Sequence, residues 1–178
     1  MRLASRHDEP GSGSPASRRF GLLGVAAALA GLDLAAKAWA ERQLTDRIVD
    51  LGVLQLRLAH NSGVAFSMGD RLPAWTVITT TAVITTAIAG YAWKTVPATG
   101  RFTRWAWAGI LAGAIANLID RIGDGVVTDY LHTAWWPTFN LADTLLSLGV
   151  TALVLASLRR DPGPAVDPDT TVEASTRQ

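Results

Sequence analysis

The sequence predicts an all-α polytopic membrane protein: four transmembrane helices with a small extracytoplasmic β-sheet. Three observations predict it. Apolar residues make up 49% of the 178 residues and charged ones only 17%, against about a quarter charged in soluble domains. The apolar residues gather into four blocks near the roughly 20 residues that a bilayer span needs. A short stretch of strictly alternating apolar and polar residues falls between the first two blocks.

The first block is Phe20 to Ala40, the second Pro73 to Trp93, the third Trp105 to Asp120 and the fourth Asn140 to Leu158. A soluble amphipathic helix shows a polar face every three to four residues. Blocks two and four show almost none beyond Thr and Ser, so four buried helices of a soluble bundle would leave too few polar residues to coat them. Small residues in "AWA" end block one like a signal-peptide cleavage site. Its long basic flank and the interruption by Asp33 and Lys37 read instead as a retained first helix. The seven tryptophans lie near the span ends or in the loop beside them, where the amphipathic indole prefers to sit.

Basic residues segregate. Arg2, Arg6, Arg18 and Arg19 precede block one, Lys94, Arg101 and Arg104 link blocks two and three, and Arg159 and Arg160 follow block four. The positive-inside rule places these three segments, and both termini, in the cytoplasm. Residues 1–17 and 161–178, rich in Ser, Gly, Pro and Asp, read as disordered cytoplasmic tails. They flank one membrane domain over residues 18–160. A net charge of +1 with no basic stripe gives no footprint for nucleic acid. The absence of cysteine excludes disulfides, thiol chemistry and Cys-ligated zinc.

Outside the membrane, "VLQLRLAHNSGVAF" alternates Leu54, Leu56 and Leu58 against Gln55 and Arg57. Period two means a strand with one apolar face, turned toward lipid or substrate. "NSG" supplies a turn, and "VAF" resumes the apolar character, so a hairpin over this stretch is the simplest form. Residues 121–139 read as a loop that returns to the same surface.

Charged residues inside spans cost about 2.5–3.5 kcal/mol each at mid-bilayer and are candidate functional residues for that reason. Asp33 and Lys37, four apart, share a helix face and can neutralise each other for insertion or support a site. Asn117, Asp120 and Arg121 close block three. An Asp120–Arg121 pair would keep that carboxylate ionised and suit it to scaffolding or substrate positioning. Asp129 and Asp143 have no basic neighbour in sequence, and both belong near the outer interface. Either they are a turn residue and a helix-start residue, or they meet. Two carboxylates held close share a proton, so that one activates water while the other donates. Such a pair hydrolyses amides without a metal.

Five patterns, in order, carry a resemblance: "DLAAK" (Asp33, Lys37), "NSGVAFS" (Asn61, Gly63, Ala65, Phe66), "NLIDR" (Asn117, Asp120, Arg121), "GVVTDY" (Gly125, Val127, Asp129, Tyr130) and "FNLAD" (Phe139, Asn140, Ala142, Asp143). The combination, over about residues 20–158, closely resembles lipoprotein signal peptidase, the type II signal peptidase of bacteria. The resemblance implies an intramembrane aspartyl endopeptidase of the cytoplasmic membrane with its site at the extracytoplasmic face. Such an enzyme removes the signal peptide of a diacylglyceryl-modified prolipoprotein by cutting before the lipid-modified cysteine. It implies Asp129 and Asp143 as the catalytic pair. It places Asn61, Asn117, Arg121 and Asn140 around the substrate, Asp33, Lys37 and Asp120 as supporting charges, and the outer sheet as a cradle. It further implies inhibition by the cyclic peptide globomycin, no metal, no cofactor and a monomer embedded in membrane lipid. Two positions depart from the family pattern. Ala112 and Ala116 replace common glycines, which keeps them small, and Tyr130 replaces a frequent Phe and keeps the ring.

Two other readings are weighed against this one. A four-helix transporter or channel subunit would spread its acids along a path through the bilayer, whereas here they cluster toward the outer half. A metal-dependent hydrolase would want a histidine constellation such as HExxH, whereas His7, His60 and His132 lie far apart in the chain.

Overall fold

A computed structural model describes residues 14–63 and 73–158. Helix α1 runs Pro15–Gln43, α2 Ala74–Thr95, α3 Arg101–Asp124 and α4 Leu141–Leu158. A 3-10 turn, Val96–Ala98, prolongs α2. All four helices are long and apolar enough to cross a membrane. Three of them extend past the apolar blocks. α1 begins at Pro15, inside the segment expected to be a tail, because Ser14 caps it: its Oγ accepts from Ser17 N at 3.2 Å, and Pro15 brings a φ already suited to a helix. The rest of that tail, and the C-terminal one, lie outside the described residues. α3 runs four residues beyond Asp120 and stops at Gly125, whose φ of +90° lets its N–H bond back to Arg121 O at 2.9 Å.

The bundle is small inside and large outside. Its buried cluster is dominated by alanines, among them Ala26, Ala30, Ala92, Ala108, Ala112, Ala116 and Ala142. Large apolar side chains such as Phe20, Leu32, Val83, Ile84, Leu148 and Val154 face outward. In water that arrangement would leave an extensive apolar surface bare. In lipid it places small residues where helices must approach closely. Gly113 and Gly149 carry the closest approach of α3 to α4. A Cβ on Gly149 would lie 2.7 Å from Ala106 O, and one on Gly113 would collide with Ala142 O.

A four-stranded antiparallel sheet, in the order β1-β2-β3-β4, covers one end of the bundle. Its strands are β1 Val49–Asp50, β2 Gln55–Asn61, β3 Val127–Thr133 and β4 Trp136–Phe139. β2 is the strand the alternation predicts, but its partners are β1 and β3. The second arm of the expected hairpin, Val64–Phe66, lies outside the described residues. Leu56 and Leu58 do not face lipid. They pack with Ala40, Leu44 and Tyr130 onto the end of α1. The stretch 121–139, expected as a loop, holds the end of α3 and both β3 and β4. The register sets Ala59 opposite Asp129 and Asn61 opposite Val127, which fixes β2 beside the carboxylate-bearing strand.

Candidate active site

The site forms where the ends of α1 and α3, the start of α4 and the inner strands meet. Lys37 is its hub and is 2% exposed. Its Nζ lies 3.1 Å from Asp33 Oδ2 and 3.1 Å from Asp120 Oδ2, and it donates to Asn117 Oδ1 at 2.7 Å. The ammonium thus sits against two carboxylate oxygens and one amide oxygen. The one-turn spacings that suggested shared faces are realised for Asp33 with Lys37 and for Asn117 with Asp120.

The Asp120–Arg121 pair considered as one possibility does not form, and Asp120 pairs with Lys37. Adjacent helix residues point about 100° apart, so Asp120 turns to Lys37 while Arg121 turns elsewhere. The second duty of Asp120 Oδ2 is to accept from Thr128 N at 2.8 Å, which ties α3 to β3 one residue before Asp129.

Helix α4 begins with its free N–H groups answered by side chains from three elements. Leu141 N donates to Tyr130 Oη at 3.3 Å, Ala142 N to Asp33 Oδ1 at 2.9 Å, and Asp143 N to Asn140 Oδ1 at 2.9 Å. Asn140 N donates in return to Asp143 Oδ2 at 3.3 Å, so Asn140 and Asp143 form a capping box. The helix-start role considered for Asp143 is therefore real. It does not exclude the other role, because Asp143 Oδ1 also accepts from Asn117 Nδ2 at 2.8 Å.

Asn140, fully buried, joins the two aspartates. Its Nδ2 donates to Asp129 Oδ1 at 2.7 Å, while its backbone N–H and side-chain oxygen engage Asp143. Asp129 Oδ2 accepts from Asn61 Nδ2 at 3.2 Å. Asp129 is 2% exposed. Burial, and then the nearby charge of Asp143, push its carboxyl up to about 6, against the pull of the Asn61 and Asn140 bonds. Burial and then the charge of Asp33 push the Tyr130 phenol up to about 12, so it remains a neutral cap.

Asn61 also accepts from Gly63 N at 2.8 Å, a turn that carries the chain over Arg121. Gly63 has a φ of +91°, and a Cβ there would lie 2.9 Å from Arg121 Nη2. Only glycine suits this crossing. Arg121 is buried, and its Nε has no hydrogen-bond partner among the described residues.

Beside Asp143 opens a cavity of about 360 Å³, lined chiefly by Trp135, Trp136, Phe139, Thr144 and Leu148. Sequence reasoning missed this wall and the parts played by Thr128 and Tyr130. "AWWPTF" read as interfacial aromatics in a loop, whereas its last four residues form β4 at the sheet edge, the position where a strand tolerates Pro137. Among the described residues, no group of three or more His, Cys, Asp or Glu converges to hold a metal.

Four span-length helices, an end sheet and two carboxylates, one buried and one at the cavity wall, bridged by one asparagine define a polytopic membrane protein with a two-aspartate site. The backbone matches two structures of a bacterial membrane enzyme determined by the in meso method. Both give a TM-score of 0.68, at 23% and 24% identity, covering 83% and 80% of this chain and 94% of each of theirs. The sequence model of signal peptidase (SPase) II matches residues 25–159. The chain belongs to the signal peptidase II family. It is 36% identical over 121 residues to a lipoprotein signal peptidase of Vibrio vulnificus, covering 65% of this chain and 72% of that one. It is 37% identical over 118 residues to that of Allorhizobium ampelinum, covering 62% and 72%.

Proposed function

We propose that this peptidase removes the signal peptide of diacylglyceryl-modified prolipoproteins, cutting before the lipid-modified cysteine by an aspartyl mechanism in which Asp129 and Asp143 are the catalytic pair. The observation that carries the reading is the bridging of both carboxylates by Asn140 at the membrane-exit end of the bundle. Asp129 holds the shared proton, consistent with its raised affinity for it, and Asp143 is the base. Asp143 takes a proton from water as the water oxygen bonds to the scissile carbonyl carbon. Asp129 gives its proton to the carbonyl oxygen. When the tetrahedral intermediate collapses, the C–N bond breaks, Asp129 takes a proton back, and Asp143 passes its own to the leaving nitrogen. The pair returns to its starting state with one water consumed.

The surroundings serve this step. Asn61, Asn117 and Asn140 hold the carboxylates in place, and the Nε of Arg121, without a hydrogen-bond partner among the described residues, is a donor suited to a peptide carbonyl. The aromatic cavity beside Asp143 offers room for an acylated substrate arriving from lipid. Positive-inside counting puts this end outside the cytoplasm of a bacterial inner membrane. The test is purified protein in detergent with a diacylglyceryl-modified prolipoprotein. A size shift that globomycin blocks and EDTA does not is expected. No shift, or one that EDTA abolishes, contradicts the proposal.

A further inference from the structure

At the end of the bundle opposite the carboxylates, a cavity of about 330 Å³ opens between the starts of α1 and α3. It is about 28 Å from Lys37, counting the nineteen residues from Arg18 along α1 at roughly 1.5 Å each, so it belongs to the other leaflet. Three arginines line it, Arg18, Arg101 and Arg104, with Leu22, Val25 and Ala108 behind them. Two are fixed by backbone carbonyls: Arg18 Nη1 donates to Pro97 O at 2.8 Å and Arg104 Nη1 to Thr99 O at 3.4 Å. These bonds position the guanidinium groups and neutralise neither.

Among the described residues, no carboxylate lines this cavity. The chain has no Asp or Glu from Ser14 to Leu32, from Pro73 to Ile119 or from Thr144 to Leu158. Arg18 Nε is buried without a hydrogen-bond partner among the described residues. Gly100 starts α3 with no capping side chain, which leaves the positive end of that helix beside the arginines. The exposed indole of Trp105 stands at the same cavity.

We infer that this cavity binds the phosphodiester headgroup of an anionic glycerophospholipid from the leaflet opposite the active site. Convergent cations and an open helix N-terminus fit a phosphate. The apolar back wall and the lipid-facing position select a lipid over a free anion, because acyl chains continue where the wall ends. Basic cavities between membrane helices bind acidic headgroups on this principle.

Native mass spectrometry of the full chain in neutral detergent tests the inference. Phosphatidylglycerol is compared with phosphatidylcholine of the same acyl chains and with inorganic phosphate. One phosphatidylglycerol per protein, bound at least tenfold tighter than phosphatidylcholine, is expected. Arg101→Gln with Arg104→Gln should weaken it by about fivefold per arginine. Gly21→Leu tests the same site without changing charge, since Gly21 lines the cavity and faces open space; it too should lose phosphatidylglycerol. Equal affinity for the two lipids, unchanged phosphatidylglycerol binding in these variants, or competition by inorganic phosphate at equal affinity overturns the inference.

Discussion

Lys37 Nζ donates to Asn117 Oδ1 at 2.7 Å, and this bond decides which way the amide of Asn117 points. An ammonium only donates, so the amide oxygen must face Lys37 and the NH2 must face Asp143. The charged cluster on α1 thereby orients a donor on α3 toward a carboxylate on α4, without touching that carboxylate.

Lys37→Met should therefore act on stability and on the site together. It leaves Asp33 and Asp120 with carboxylates that are wholly or largely buried and have lost their cation. Breaking such a buried pair costs about 3–5 kcal/mol. Thermal unfolding in detergent, followed by tryptophan fluorescence, should show a large drop in Tm. Adding Asp33→Asn to Lys37→Met should recover part of it. A Tm within a degree or two of wild type for Lys37→Met would falsify the hub role.

Asp129 gives a pH dependence with a defined sign. Its carboxyl titrates near 3.8 when unperturbed and near 6 in the fold, so between those values the folded chain binds more protons than the unfolded one. The stability tied to this proton is full below about pH 4 and is lost as pH rises through about 6. Asp129→Asn has no proton to lose. The Tm of this variant, relative to wild type, should climb from pH 4 to pH 6 and then level off. A difference that stays flat, or that falls across this window, contradicts the raised proton affinity.

Gly113 and Gly31 make a matched pair of helix glycines. A Cβ on Gly113 collides with the backbone oxygen of Ala142, next to Asp143, whereas one on Gly31 meets nothing within 4 Å. Gly113→Ala should cost about 1–3 kcal/mol through overpacking and slow peptide cleavage by displacing the start of α4. Gly31→Ala should be neutral or gain up to about 1 kcal/mol from helix propensity. Side-by-side unfolding and cleavage assays check both, and equal effects from the two substitutions contradict the close approach.

The legibility of the sequence followed the range of each interaction. The helices were readable because span-length apolar runs are local, as was β2 from Leu56 and Leu58 against Gln55 and Arg57. The Asp33–Lys37 pair was readable for the same reason, since one turn of helix enforces it. Sequence adjacency left open whether Asp120 pairs with Arg121, and Lys37, eighty-odd positions away, takes the carboxylate. β3 and β4 were hidden because their pairing partners are distant or interrupted by Pro137, and short strands carry little periodicity. The Tyr130 cap on Leu141 and the aromatic cavity at Trp135 and Phe139 depend on that sheet and so were invisible too. Whether Asp129 and Asp143 belong to one site could not be decided from their spacing; the resemblance supplied that pairing, and Asn140 gives it a physical form.

The most direct test of the central claim is cleavage of a diacylglyceryl-modified prolipoprotein by Asp129→Asn and by Asp143→Asn, each purified and shown to unfold cooperatively. Both substitutions keep side-chain size and remove one carboxylate of the pair. Each variant is predicted to cleave at least about a hundredfold more slowly than wild type while remaining folded. Processing at the wild-type rate by either one would contradict the account.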